Sequence, residues 1–257
     1  MCTLPTLGIA PSATNTLMIT AKEIDELNIR LSNSEPKDII QQVSVLWPKL
    51  CISFSGAEDV ALIEMATKLI DKPAIFTLDT GRMHPQTYEF IESVRRHYKL
   101  PIETLHPDSD RLGQLIQDKG LFSFFEDGHE ECCRIRKVEP LRNKLATVDA
   151  WITGQRRDQS PTRSDVPVVQ LDRSFSSAEH PVIKINPLAN WSSEDVWNYI
   201  RLFDVPYNKL HDVGFISIGC EPCTRAVGPN QHEREGRWWW EEATIKECGL
   251  HRNNIED

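Results

Sequence analysis

The sequence contains no hydrophobic run that approaches the ~20 apolar residues of a membrane-spanning helix. Its first residues lack a basic start and are interrupted by Pro5 and Pro11, a pattern unlike that of a signal peptide. Internal repeats and low-complexity tracts are also missing. These absences argue against a membrane protein, and we expect a cytoplasmic one.

Positive charge is scarce, because 29 Lys and Arg side chains stand against 38 Asp and Glu and give a formal net charge of −9. Such a balance repels nucleic acid and anionic membranes unless a local basic patch overrides it. We therefore expect neither partner, and an anionic substrate must be bound by a few converging Arg and Lys side chains. The length of 257 residues allows one large α/β domain or two small ones.

Short apolar runs alternate with longer amphipathic segments, a pattern typical of a parallel sheet with helices on both faces. The pattern predicts strands at 50–54, 74–78, 101–105 and 150–153, and helices at about 20–33, 36–47, 58–71, 84–99, 108–119 and 190–203. The predicted fold class is α/β, with a doubly wound, mostly parallel sheet in a domain of residues 20–237. We expect a disordered arm at 1–19 and a mobile carboxyl-terminal tail at 238–257.

Two turns at predicted strand ends bear on binding, because ligands of such sheets lie beyond the carboxyl ends of the strands. The first strand leads into a turn of small residues from Ser53 to Asp59, where backbone N–H groups and a helix start predict an anion site. The turn lacks the Lys of a Walker motif, and the alternative is a tight turn with Ser55 as helix cap. After the second strand, which ends at Leu78, we interpret His84 as a surface or capping residue.

The strand at 150–153 leads into an arginine-rich loop that begins with Gly154 and ends with Arg163. Guanidinium groups form forked hydrogen bonds with phosphate or sulfate oxygens. A solvated basic loop is the alternative, but the position beyond a strand end favours anion binding by Arg163 and one neighbour.

Four of the seven cysteines form two pairs, the adjacent Cys132 and Cys133 and the C-x-x-C pair of Cys220 and Cys223. Four thiolates suit either a Zn²⁺ ion or a four-iron cluster. The tandem pair fits zinc poorly, since adjacent helical side chains diverge by about 100° and would need a strained backbone or a large target. The spacing therefore favours a cluster over zinc, and Cys51 is expected in the core of a strand.

Cys248 stands near Lys246 and His251, which favour its thiolate. We interpret it as a candidate nucleophile or redox thiol, with an incidental surface thiol as the alternative.

Three tryptophans at 238–240 are expected to pack the tail onto the domain with at least two rings. Arg234 and Arg237, which precede them, are candidates for ligand contact.

Together, six segments resemble the assimilatory adenylyl-sulfate reductase family: SFSGAEDV (53–60), LDTGRMHPQTY (78–88), ECCRIRKVEPL (131–141), ITGQRRDQSPTR (152–163), GCEPCTR (219–225) and KECGLH (246–251). The resemblance extends over almost the whole chain. The related 3′-phosphoadenylyl-sulfate reductases resemble it too, but they typically lack the two cysteine pairs.

The resemblance implies a fold of the adenine-nucleotide hydrolase type and the reduction of adenosine 5′-phosphosulfate to sulfite and AMP, with thioredoxin or a glutaredoxin-like donor as partner. It also implies a nucleophilic Cys248, a homo-oligomer, and a [4Fe–4S] cluster on Cys132, Cys133, Cys220 and Cys223. We expect the cluster to have a structural and electrostatic role, because thiolate attack and thiol exchange complete the reaction without it.

The resemblance also assigns substrate-binding residues. Lys137, Arg163, Arg234 and Arg237 match binding positions of the family, and Lys137 follows Cys133 by one helical turn, so that it faces both cluster and phosphosulfate. The other expected site residues are Ser53, Ser55 and Gly56 around the phosphosulfate, the backbone near Leu78 and Gly154 at adenosine, and His251.

Three alternatives remain open at this point. The nearest is reduction of 3′-phosphoadenosine 5′-phosphosulfate, or of both nucleotides. The second is an ATP-using pyrophosphatase that modifies RNA, although residues 220–257 carry five basic against eight acidic side chains and offer no basic RNA surface. The third is a zinc-stabilised nucleotide-binding module without catalytic activity.

Overall fold

A computed structural model describes residues 19–228, 231 and 233–241. Its strands are β1 (Leu50–Ser53), β2 (Ala74–Leu78), β3 (Glu103–Leu105), β4 (Ala150–Ile152), β5 (Val169–Leu171) and β6 (Ile183–Ile185). They form one sheet in the order β3-β2-β1-β4-β6-β5, and only the β5–β6 pair is antiparallel. The predicted doubly wound, mostly parallel α/β fold is therefore confirmed.

The α-helices are α1 (Ala21–Leu31), α2 (Pro36–Leu46), α3 (Ala57–Thr67), α4 (Pro85–Tyr98), α5 (Ser109–Lys119), α6 (Ser123–Glu126), α7 (Glu130–Cys133), α8 (Glu139–Leu145) and α9 (Ser193–Leu202). A π-helical turn, Arg134–Val138, connects α7 to α8. Short 3₁₀ turns lie at Arg157–Gln159, Pro161–Arg163, Lys209–Val213 and Glu221–Cys223. Within the described part of the chain, no helix has the length and apolar character to cross a membrane.

Local sequence signals set where several helices begin. α1 and α9 each start with a capping box, formed by Thr20 with Glu23 and by Ser192 with Asp195. α2 and α4 start with proline, whose fixed φ suits the first helical position and whose missing N–H costs nothing there. The starts of α1, α2 and α4 lie within two residues of the predicted ones, and α9 has Ser192 as its N-cap, where Ser192 or Ser193 ahead of acidic residues predicts a capped helix start.

Side chains alternate between the two faces of the sheet and build a core on each face. On one face Ile52 and Ile152 join the larger apolar cluster with α1, α2, α3 and α9, and on the other Cys51 and Trp151 join a smaller one with α8. A third cluster contains Phe124, Trp238 and three of the paired cysteines. Cys51 thus lies in a strand core, as predicted.

The sequence pattern missed β5, β6, α6, α7 and α8. β5 and β6 have a polar residue in the middle, Gln170 or Lys184, so no continuous apolar run marks them as it marks the equally short β4, and β5 lies at the antiparallel edge of the sheet. α6 and α7 have four residues each, too few for a helical period. α8 continues directly from the π-helical turn, so no capping signal separates it from the cysteine motif. Residues 1–18 of the predicted arm lie outside the described residues.

Candidate active site

A large cavity lies at the carboxyl ends of β1 and β4, the point where the strand order reverses. Loops diverge at such a switch point and leave the crevice in which open α/β sheets bind ligands. The space inside this crevice, including the part that is open to solvent, is about 1400 Å³. Its walls come from the turns after β1, β2 and β4, which is where sheets of this kind bind their ligands.

The turn after β1 borders the cavity but offers fewer free amides than predicted. Ser53, Ser55 and Gly56 line the cavity. The backbone N–H groups of Ser55 and Gly56 donate to Oδ2 of Asp59 at 2.8 and 2.9 Å, and the Ser55 hydroxyl donates to the same oxygen at 2.9 Å. These two amides are therefore occupied by Asp59, and the anion site at this turn stays a prediction. The alternative of a Ser55 cap is wrong, because Gly56 is the N-cap of α3.

Gly154 brings the loops after β1 and β4 into contact. Its backbone N–H donates to Oδ1 of Asp59 at 2.9 Å. A Cβ atom on Gly154 would lie 2.5 Å from Cβ of Glu58 and 2.7 Å from that carboxylate oxygen, so a larger residue does not fit without a shift. Leu78 and Gly154 both line the cavity, as predicted for the nucleoside part of the site.

Four cationic side chains meet at the cavity: Lys137, Arg163, Arg234 and Arg237. They come from the π-helical turn, the 3₁₀ turn at 161–163 and the segment 233–237, which are far apart in sequence. Lys137, Arg163 and Arg237 are only 9%, 5% and 7% exposed. Because water screens buried cations weakly, this arrangement favours an anionic ligand. The structure therefore brings these four residues to one cavity, and their part in substrate binding stays a prediction.

Three largely buried acids that sequence reasoning missed also line the cavity: Glu58, Asp59 and Glu233. Burial, reinforced by the charge of Glu58, raises the pKa of Asp59 to about 6. Burial likewise raises the pKa of Glu233 to about 7. Burial also acts to raise the pKa of Glu58, but the nearby Arg156 guanidinium outweighs it and holds that pKa below its usual value. Acidic residues are common at helix starts, so the sequence gives no sign that these three side chains share one cavity.

A smaller cavity beside the first one, the cysteine cavity, is lined by Cys132, Cys133, Cys220 and Cys223. Cys132 is half-buried and the other three are buried. The π-helical turn begins directly after Cys133, and such local distortions are frequent at functional sites. Both cysteines of the tandem pair therefore reach one cavity, although they belong to the regular helix α7 and the π-helical turn only follows them.

Among the residues that the structure describes, no group of three or more His, Cys, Asp or Glu is arranged to hold a metal ion, so the choice between zinc and a cluster in the cysteine cavity stays a prediction. The wall of this cavity carries donors that suit an anionic metal group. Nη1 of Arg82 and Nε of Arg136 at its wall are buried without a hydrogen-bond partner in the described structure, and such donors suit the sulfurs of an anionic cluster.

Lys137 lines both cavities, as its one-turn spacing from Cys133 predicts. Its Nζ lies 6.0 Å from the centre of the Trp238 ring. On the same wall, the Thr80 hydroxyl lies 3.2 Å from Sγ of Cys220, which itself borders both cavities. A single cation is therefore placed to act on a ligand in either cavity.

The first residues of the predicted tail are packed against the domain. Trp238 is fully buried and stacks on His129 with 4.0 Å between ring centres. Trp240 packs on Phe125 at 4.4 Å, which confirms that at least two of the three rings hold this segment. Glu241 accepts a hydrogen bond from the backbone N–H of His129 at 3.1 Å.

The remaining predicted residues have different outcomes. His84 is the N-cap of α4, as expected of a capping residue, but it is buried and not at the surface, because it packs edge-on against Phe215 at 5.4 Å. Cys248 and His251 lie outside the described residues, so their roles stay predictions.

Comparisons with known proteins agree with this geometry. Residues 49–226 match the phosphoadenosine phosphosulfate reductase domain. Adenosine 5′-phosphosulfate reductase of Pseudomonas aeruginosa is 58% identical over 91% of this chain and 88% of its own length. 5′-Adenylylsulfate reductase 1, chloroplastic, of Arabidopsis thaliana is 51% identical over 100% of this chain, which covers 56% of that relative.

Among solved structures, phosphoadenylyl-sulfate (PAPS) reductase from Candida auris, in a phosphate complex, superposes with a TM-score of 0.68 at 28% identity. The match covers 81% of this chain and 98% of that one. FMN adenylyltransferase from Candida glabrata shares the fold, with a TM-score of 0.54 at 15% identity over 90% of this chain and 81% of that one.

Proposed function

Because this chain belongs to the phosphoadenosine phosphosulfate reductase family, we propose that it reduces adenosine 5′-phosphosulfate to sulfite and AMP in assimilatory sulfate reduction. Relatives at 58% and 51% identity carry names for this activity. The placement of Lys137 supports the proposal most directly, since this cation borders both the large cavity at the strand ends and the cysteine cavity.

The cations of the large cavity bind the phosphosulfate group. Arg163, Arg234 and Arg237 supply forked N–H donors that match tetrahedral oxyanions, and Lys137 adds a point charge. An attacking thiolate and the phosphosulfate are both anions, so these side chains also lower their mutual repulsion. They stabilise the charge that grows on the departing AMP phosphate.

The nucleophile is the Cys248 thiolate. It attacks the sulfur of the sulfuryl group, an S–S bond forms, and the S–O bond to AMP breaks with its electron pair on the phosphate. A thiolate of a thioredoxin-like or glutaredoxin-like donor then attacks Sγ of Cys248 and releases sulfite. The second thiol of the donor resolves the mixed disulfide, so that the donor dithiol supplies both electrons.

The four paired cysteines are the proposed ligands of a [4Fe–4S] cluster. Arg82, Arg136 and Lys137 line the same cavity and offset the negative charge of a thiolate-ligated cluster. When bound, the cluster would connect the two segments that carry the cysteine pairs. Its charge would act on the neighbouring substrate without net electron transfer.

Intact-mass spectrometry tests the proposed function. The purified enzyme is mixed with adenosine 5′-phosphosulfate without reductant, and a sulfonate adduct is expected on the protein. The adduct should be absent from a Cys248→Ser variant. An adduct that persists in that variant, or sulfite release at the normal rate by it, contradicts the proposed nucleophile.

The competing substrate is 3′-phosphoadenosine 5′-phosphosulfate, which the 28% identical Candida auris enzyme is named for. An additional phosphate brings negative charge into a cavity that already contains Glu58, Asp59 and Glu233. We therefore expect a higher kcat/KM for the unphosphorylated nucleotide. Equal or reversed values assign the chain to the alternative substrate.

The proposed reaction takes place in a reducing compartment, because it consumes a dithiol and needs a free Cys248. The cytoplasm is the proposed location, while plant relatives carry the word chloroplastic in their names. A homo-oligomer is also proposed, and light scattering during gel filtration of the iron-loaded protein measures its mass.

A further inference from the structure

A buried arginine forms ion pairs with acidic side chains on two walls of the substrate cavity. Arg156 is 1% exposed, and its Nη2 lies 3.0 Å from Oε1 of Glu58 and 3.2 Å from Oε2 of Glu233. Glu58 begins α3 beside the turn after β1, whereas Glu233 belongs to the segment that precedes the tryptophans. We name Glu58, Arg156 and Glu233 the Arg156 triad.

The Arg156 triad anchors the segment that carries two substrate-binding cations. Glu233 immediately precedes Arg234, and the backbone N–H of Arg237 donates to the carbonyl oxygen of Arg234 at 3.0 Å, which closes a turn. The other end of this turn is held by backbone pairing of Arg237 with Thr224. Without the contact between Glu233 and Arg156, the turn keeps its backbone pairing at Arg237 and loses the ion pair at its start.

The same network extends to a third binding residue. Nε2 of Gln159 donates to Oε1 of Glu58 at 3.0 Å, and Oε1 of Gln159 accepts from the Arg156 backbone N–H at 3.2 Å and from Nη1 of Arg163. Arg156 therefore stands between Arg163 on one side and the Arg234 segment on the other.

We propose that Arg156 and Glu233 are positioning residues that hold Arg234 in place for the anionic substrate. The proposal rests on the proposed function for the identity of that substrate. It adds that the affinity supplied by Arg234 depends on the buried ion pair between Arg156 and Glu233. Side chains held by such a second layer bind in a fixed geometry, and small misplacements are costly.

Glu233 is the better position for a test than Arg156. Removal of Arg156 leaves the carboxylate of Glu58 buried without its cation, which can prevent folding. The change E233A leaves the Arg156–Glu58 pair intact. E235A is a matched control, because it removes the same charge from the same segment at a residue whose carboxylate accepts from Gln231 at 3.1 Å.

The experiment is a double-mutant cycle on steady-state kinetics with adenosine 5′-phosphosulfate. We expect E233A to raise KM about tenfold and to change kcat less than threefold, whereas E235A stays within twofold of wild type. In an R234A background, E233A should lower kcat/KM by less than twofold. E233Q, which keeps an oxygen for Arg156, should fall between wild type and E233A.

Trypsin cleavage after Arg237 gives a readout that needs no substrate, and neither substitution adjoins that bond. It should be faster in E233A than in E235A. The positioning role is overturned if E233A leaves KM unchanged, or if E233A lowers kcat/KM equally in the wild-type and R234A backgrounds. It is also overturned if trypsin cleaves E233A and E235A at equal rates. If wild type releases no sulfite from the nucleotide, the proposed function fails, while the cleavage rates still test the triad.

Discussion

At the scale of single residues, Lys137 connects the two cavities of the site. It is buried at their shared wall, where a cation interacts with an anionic ligand on either side more strongly than in water. A lysine suits this position because its charge is compact and its stem is flexible. Its role is therefore electrostatic, and its loss should affect catalysis more than folding.

We predict that K137Q lowers kcat/KM for adenosine 5′-phosphosulfate by about 10²–10³, because one preorganised charge at the departing phosphate is lost. Sulfite release measures this effect. Lys209→Gln is the control, since Lys209 is 70% exposed and pairs with Asp212 at 3.6 Å on the surface. Similar rates in both variants would show that Lys137 has no part in the reaction.

Glu233 makes stability depend on pH. Its pKa of about 7 in the folded protein lies above the usual 4.5, so the folded state binds more protons than the unfolded state between these values. The free energy of unfolding contributed by this group therefore falls as pH rises from about 4.5 to about 7. We predict that in E233Q the free energy of unfolding falls less between these pH values, by on the order of 1–3 kcal/mol. Anaerobic urea titrations at several pH values measure this difference. A decline of equal slope in E233Q contradicts the assignment.

At the scale of elements, α7 and the π-helical turn bring Cys132, Cys133 and Lys137 to the cysteine cavity. The two cysteines belong to α7, where neighbouring side chains of a regular helix point about 100° apart. The turn at Arg134–Val138 follows Cys133 and leaves Lys137 next to both cavities. The spacing of the pair predicts a strained backbone or a large target, and the distortion lies after the pair and not within it.

The contact between the loops after β1 and β4 requires glycine. We predict that G154A lowers the free energy of unfolding by about 1–3 kcal/mol, because its Cβ would lie 2.5 Å from Cβ of Glu58. G113A is the matched control, since nothing lies within 4 Å of its added Cβ in α5 and alanine favours a helix by up to ~1 kcal/mol. Denaturant unfolding measures both, and equal stability of the two variants would contradict the close contact.

At the scale of the whole molecule, the cysteine cavity and the sheet are stabilised separately. The two sheet cores contain none of the four paired cysteines, whereas the third cluster combines three of them with Phe124 and Trp238. Loss of a bound cluster should therefore loosen the cysteine region and leave the sheet folded.

Hydrogen exchange tests this separation. After oxidative removal of the cluster, amides of β1, β4 and α3 should keep their protection, while amides near Cys223 and Trp238 should exchange at least tenfold faster. The C220S/C223S variant is the control for oxidation damage. Loss of protection throughout the sheet would show that the cluster supports the whole fold.

The sequence predicted the elements with strong local signals and missed those without them. β2 matches its predicted bounds, and α4 lies within one residue of its prediction, because apolar runs and an initial proline mark them. β5 and β6 each have a polar residue at their centre and therefore lack a continuous apolar run. The amides of Ser55 and Gly56, at the predicted anion site, donate to Asp59, because backbone N–H groups at a helix start bind any nearby acceptor.

The sequence by itself determined the α/β class and the two cysteine pairs, because apolar patterning and residue spacing carry that information. The expectation that Lys137, Arg163, Arg234 and Arg237 bind one substrate came from the resemblance to a known family. Only the tertiary structure decided that Lys137 belongs to both cavities, that Asp59 occupies the turn and that Glu58, Arg156 and Glu233 meet behind it. The physical reason is distance along the chain. Pairs such as Arg156 and Glu233 are brought together by the packing of the sheet and its loops, and no local pattern encodes that contact.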